Sequence, residues 1–140
     1  MNKSIIALAL SLSLSLASAA VALDNSKLVG TWQLVENAKD ADGNNSPFVT
    51  EKLQFTSDGK MISANMPMPF RYKVNPDKAE IDRALARFPD LKGMEIMLAM
   101  VGNSPNDWSR PNIVYGVELK DNKFTMKLSG YTPARYKKLK

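Results

Sequence analysis

The segment Phe70-Arg71-Tyr72-Lys73-Val74 alternates apolar and charged residues without a break, and most of the chain after residue 26 follows the same rule in short runs. Successive side chains of a strand point to opposite faces, so such alternation describes a strand with one buried and one solvated face. Turn residues separate the runs at the spacing of an all-β sandwich or barrel. A first strand is predicted over about residues 27–36, followed by a polar loop over 40–47. Asp58-Gly59 lies between alternating runs at 51–56 and 61–66, and this dipeptide is a strong hairpin signal because glycine accepts the positive φ of a tight turn. A two-residue turn there sets Phe55 opposite Ile62 and Leu53 opposite Ala64, with these side chains facing inward. A further hairpin is predicted from 70–74 through a turn at 75–78 to a strand at 79–82. In the last hairpin, with its turn at Asp121-Asn122, Leu119 faces Phe124, Val117 faces Met126 and Tyr115 faces Leu128.

Residues 85–111 break the pattern. Phe88-Pro89-Asp90 reads as a helix entrance with Asp90 as N-cap, and Leu91, Met94, Leu98 and Val101 follow at three- or four-residue spacing, with Gly102 as the stop. Met94, Ile96, Leu98 and Met100 also alternate as a strand would. The favoured expectation is a short helix or long loop inserted at about 88–111.

Residues 1–22 contain Lys3, an apolar stretch over 5–17 in which leucine alternates with serine, and small residues ending Ala20-Val21-Ala22. Charge, apolar core and A-x-A in that order form a secretory signal peptide, and the core is too short to span a bilayer comfortably. Cleavage is expected near Ala22, with Ala17-Ser18-Ala19 as an earlier alternative. Residues 23–140 then form one domain of a periplasmic or secreted protein, with no transmembrane segment. An oxidising compartment permits disulfides, yet the chain has no cysteine, so the fold must rest on burial and backbone pairing.

The chain has no histidine either, which removes the usual base of serine and cysteine hydrolase triads and the usual ligand of zinc sites. With no Gly-rich phosphate loop and no nucleophile motif, neither an enzyme activity nor a cofactor is expected. Parity counted from Trp32 points one carboxylate, Glu36, inward near its strand end, where a water-exposed rim charge is the preferred reading. The formal net charge is +5, partly from the terminal Lys137, Lys138 and Lys140. So modest an excess reads as a solvated strand end, and nucleic acid is not an expected partner.

Four pieces of the chain belong together: Leu28-Val29-Gly30-Thr31-Trp32-Gln33-Leu34-Val35; the Phe55-Thr56-Ser57-Asp58-Gly59 hairpin; Tyr115-Gly116-Val117-Glu118-Leu119 with Lys123-Phe124-Thr125-Met126; and Arg135-Tyr136-Lys137-Lys138. They resemble the bacterial lipocalin-like families of small exported proteins, within the calycin superfamily. The resemblance implies an antiparallel up-and-down β-barrel of about eight strands. It also implies that Gly30, Trp32 and Arg135 close one end, with Trp32 as the plug and Arg135 lying over its indole in a cation–π contact. The insertion at 88–111 departs from that pattern.

An eight-strand barrel has an interior just wide enough for side chains or for one small ligand. The leading functional expectation is an exported binding protein for a small hydrophobic molecule, contacted by Met66, Met68, Phe70, Tyr72, Tyr115 and Met126; a filled core is the alternative. A second class is a protein-interaction or inhibitor module acting through a Met-rich surface at 94–101, where Met94, Met97 and Met100 would line one side of a helix. A third is Cu(I) handling by the thioethers of Met66 and Met68 on the stiff segment Met66-Pro67-Met68-Pro69. Methionine more often fills irregular apolar gaps.

Overall fold

A meander of amphipathic strands leaves two unpaired edges unless its last strand returns to its first. In the computed structural model, which describes residues 25–64, 68–101, 108 and 110–140, it does return. β1 (Gly30–Glu36), β2 (Lys52–Phe55), β3 (Lys60–Ser63), β4 (Phe70–Val74), β5 (Glu95–Val101), β6 (Ile113–Lys120), β7 (Lys123–Lys127) and β8 (Ala134–Lys138) each pair antiparallel with the next, and β8 pairs with β1. The product is a closed, all-β, eight-strand barrel with up-and-down topology. The signal-peptide segment at 1–22, Met66 and Gly102 lie outside the described residues. Among the described residues no helix is long and apolar enough to cross a membrane.

The barrel interior is one hydrophobic cluster, with Trp32, Phe55, Met97, Val117 and Phe124 almost fully enclosed. A second cluster lies outside the wall, where α2 (Lys78–Arg87) and the single 3-10 turn Pro89–Leu91 pack over β5 and β6. Its members from the strands are Ile96, Leu98 and Val114, met by Ala84 and Leu91 and flanked by Ile81, Leu85 and Phe88. A short α1 (Asn25–Leu28) precedes β1.

The insertion differs from expectation in two places. Residues 91–101, predicted as a helix, contain β5 instead, because this strand is buried on both faces. Met97 and Ala99 belong to the interior cluster, and Ile96 and Leu98 to the one under α2. A strand covered on both sides reads as a continuous apolar run and loses its alternation. The Met-rich stretch at 94–101 is therefore not an exposed helical surface; Met97 and Met100 are buried.

The helix lies earlier, and residues 79–82, predicted as a strand, fall inside α2. Asp77 is its N-cap, not a turn residue: its carboxylate accepts from Glu80 N at 2.8 Å, while Glu80 Oε1 accepts from Asp77 N at 2.9 Å. This reciprocal capping box satisfies two of the donors that a helix start otherwise leaves open. The buried Glu80 carboxylate is compensated further by Lys73 of β4, whose Nζ lies 2.8 Å and 3.0 Å from its two oxygens. Asp90 is not a helix N-cap. It ties the 3-10 turn to the β7–β8 connection, accepting from Ser129 Oγ at 2.7 Å, Gly130 N at 3.0 Å and Lys127 Nζ at 3.2 Å.

The β2–β3 register also differs by one residue. Thr56 N donates to Lys60 O at 2.8 Å, leaving Ser57, Asp58 and Gly59 as a three-residue loop with Gly59 at φ 85°. A loop one residue longer than the two-residue turn shifts the strand, so Phe55 faces Met61 and Leu53 faces Ser63. Met61 and Ser63 turn inward, and Ile62 and Ala64 are exposed. The last hairpin has the predicted register, with Leu119 opposite Phe124 and Val117 opposite Met126.

Replacing Asp77 by Ala removes the cap and is expected to lower the unfolding free energy by about 1 kcal/mol in denaturant titration. The contacts from Ser129, Gly130 and Lys127 hold the Asp90 carboxyl down to about 2 from its ordinary 3.8. Because the folded value is depressed, its stabilisation is complete above 3.8 and is lost as pH falls through about 2. The stability gap between the parent chain and Asp90→Ala is therefore expected to be open at neutral pH and to narrow over that acid window.

Candidate functional site

The two ends of the barrel are built from different side chains. At the end where β1 begins, Trp32 is enclosed and its Nε1 donates to Leu28 O at 2.8 Å, so the indole is both packed and hydrogen-bonded. Phe124 lies 5.6 Å from it, Phe55 lies 5.5 Å from Phe124, and Tyr72 lies 5.1 Å from Phe55, the last two pairs edge-to-face. These aromatics fill this half of the interior. The Tyr72 hydroxyl donates to Asn25 Oδ1 at 2.6 Å, which fastens α1 beneath the plug.

Lys138, not Arg135, lies over the Trp32 indole, with Nζ 5.6 Å from the ring centroid. Ala134, Tyr136 and Lys138 alternate onto the inner side of β8, so the intervening Arg135 faces out; it is 62% exposed. Lys138 reaches the indole past Gly30, where a Cβ would stand 2.9 Å from Lys138 Cε. Gly30 also has φ 137°, which other residues rarely adopt. Glu36 does not point inward. The β1–β8 ladder shifts between Leu34 and Glu36, a bulge that turns Glu36 outward to pair with Arg135 at 3.4 Å.

At the opposite end the interior is not filled. A cavity of about 130 Å³ remains there. Its barrel walls include Leu53, Phe70, Ile113, Met126 and Leu128, and residues 47–49 of the β1–β2 connection form part of its rim. That connection is held over the barrel end: Lys39 N donates to Thr132 Oγ1 at 2.8 Å and Thr132 N donates to Lys39 O at 2.9 Å. Phe48, 65% exposed, packs edge-on against Tyr131 with centroids 6.4 Å apart.

Four hydroxyl-bearing side chains, Thr50, Ser63, Tyr115 and Tyr136, interrupt the apolar wall. Tyr136 donates to Thr50 O at 3.0 Å, and burial pushes its hydroxyl up to about 12. Burial also raises the Tyr115 hydroxyl well above its ordinary value, reinforced by the neighbouring Tyr136. Both phenols are therefore neutral at physiological pH. Ser63 Oγ is enclosed without a hydrogen-bond partner among the described residues. None of the described residues lining the cavity is charged.

Of the sequence-predicted contacts, Phe70, Tyr115 and Met126 line this cavity. Tyr72 does not, because its ring belongs to the aromatic fill at the plugged end. Met68 is 50% exposed and outside the cavity wall, and Met66 lies outside the described residues. No group of three or more His, Cys, Asp or Glu side chains suited to a metal ion occurs among the described residues. Sequence reasoning missed Ser63 and Met61 through the one-residue register difference, and missed Ala38, Ala134 and Tyr136. The signal for Tyr136 was its parity with Ala134 on the closing strand.

No protein-family model, curated protein or solved structure matches the chain.

The plugged end carries its own test. Gly30→Ala introduces a strained φ and a clash with the Lys138 stem, and is expected to cost about 1–3 kcal/mol in chemical denaturation, with the Trp32 fluorescence maximum shifting as its cover is displaced.

Proposed function

We propose that the chain is an exported, lipocalin-like binding protein that holds one small, largely apolar molecule at the end of the barrel opposite Trp32. Export is inferred from the order of charge, apolar core and A-x-A in residues 1–22, and leads to a periplasmic or secreted location. The observation that carries the binding reading is the cavity of about 130 Å³, lined mostly by apolar side chains beneath the 47–49 rim. An enclosed apolar void of about 150 Å³ in another protein stays dry and takes up benzene or xenon, so the scale here is that of a single aromatic ring or a short branched chain. It is smaller than the roughly 300 Å³ at which pockets for drug-sized molecules begin. Exposed Phe48 at the rim leaves a route inward that does not cross the barrel wall.

A binding role requires that ligand stabilise the folded state and that filling the void remove the effect. Toluene near aqueous saturation is expected to raise the unfolding free energy of the parent chain, by about 2.7 kcal/mol if it reaches 100-fold its Kd. Ala134, enclosed in the cavity wall, is the place to fill: Ala134→Leu should leave the circular dichroism spectrum unchanged and abolish the toluene-dependent gain. A parent chain whose stability ignores toluene, and a smaller probe such as xenon, would rule the reading out.

A further inference from the structure

We infer that the molecule held in this cavity is uncharged and carries an oxygen that hydrogen-bonds to the hydroxyls of Ser63 and Tyr115. The inference rests on the binding reading above and adds to it the chemical class of the ligand. Ser63 and Tyr115 are each only 6% exposed, and both line the same cavity, from β3 and β6. Ser63 Oγ is enclosed with no partner among the described residues, and Tyr115, in the same wall, brings a second hydroxyl that burial keeps protonated. Folded proteins pair nearly all buried polar atoms, because an orphaned hydroxyl forfeits the hydrogen bonds that water gave it. One orphaned hydroxyl and a second hydroxyl in the wall of the same void point to a partner that arrives with the ligand. Tyr136, whose hydroxyl already donates to Thr50 O, shows the satisfied state in the same wall.

Charge decides which oxygen fits. A carboxylate entering here would give up its hydration and meet no cation, since no described residue of the wall is charged. The basic side chain next along β8, Arg135, is turned outward to Glu36. A plain hydrocarbon would enter but leave the Ser63 hydroxyl unpaired. A ketone, ether or alcohol of about six to nine non-hydrogen atoms matches both the void and its polar groups.

The test uses three probes of similar size at neutral pH, acetophenone, benzoate and toluene, titrated into the folded chain and followed by calorimetry and by NMR shifts of the cavity residues. Acetophenone and benzoate have the same number of non-hydrogen atoms and differ chiefly in charge. Acetophenone is expected to bind at least about tenfold tighter than benzoate. The variant Ser63→Ala with Tyr115→Phe, which deletes two buried hydroxyls and adds no bulk, is expected to lower the acetophenone-to-toluene affinity ratio about fivefold while leaving toluene binding within about twofold. Benzoate binding as tightly as acetophenone overturns the inference, as does an unchanged ratio in the double variant. If toluene binds and either of those results is obtained, the ligand class falls and the binding reading stands; if none of the three binds, both fall. Should the double variant not fold, the ranking of acetophenone against benzoate in the parent chain decides alone.

Discussion

The hydrogen-bonded ladder between β8 and β1 is the constraint on which the rest of the molecule depends. Without it both strands would be exposed edges, and the inner face of every strand would border water. With it, eight short strands, two of only four residues, enclose one volume and hold it without a disulfide or a histidine-held metal. The ladder also sorts charge. Its regular part sets Lys138 across from Trp32, inside, and its bulge sends Glu36 and Arg135 together to the outside. One irregularity thus keeps a carboxylate out of the interior, while regular alternation along β8 gives the cation–π cover to Lys138.

Closure has a second consequence, at β5. The β4–β5 connection runs back along the outside of the barrel, and its helix must bury its apolar stripe against something. It does so on β5 and β6, so Leu98 and Ile96 meet α2 while Met97 and Ala99 meet the interior. Around Lys73 the outer face of β4 serves the same helix, since its ammonium compensates the buried Glu80 carboxylate and also lies 5.8 Å from the Trp108 ring. The segment between β4 and β5 is thereby a buttress on the barrel wall.

The parts of this architecture that are legible in the sequence are those where one strand face is wet. Residues 70–74 and the β6–β7 hairpin alternate cleanly, and both sets of strands follow from that, but only the hairpin has the expected register, since β4 pairs with β3 and β5 and not with residues 79–82. β5 is illegible by the same rule, because both its faces are dry. The α2 signal was present, in Asp77 and Glu80 at capping-box spacing and in Ile81, Ala84, Leu85 and Phe88 on one helical face, but Asn75-Pro76-Asp77 also reads as a turn and that reading won. The site was half legible. Phe70, Tyr115 and Met126 follow from parity, whereas Ser63 depends on whether the Asp58-Gly59 loop holds two residues or three, which a dipeptide signal does not decide.

The void itself is written in residue size. Trp32, Phe55 and Phe124 crowd one half of the interior, while Ala38, Ser63 and Ala134 stand at wall positions of the other half that could carry larger side chains. Larger side chains at these positions would gain packing that the open pocket forgoes, and this domain has no covalent staple to offset the loss. The unpaired Ser63 hydroxyl adds to the cost in the same place. A single leucine at position 134 would remove much of the void, so a barrel selected for stability alone has a short path to a filled core. The local penalties in packing and in polar pairing coincide at one end of the interior, so a single molecule of the proposed kind would relieve both.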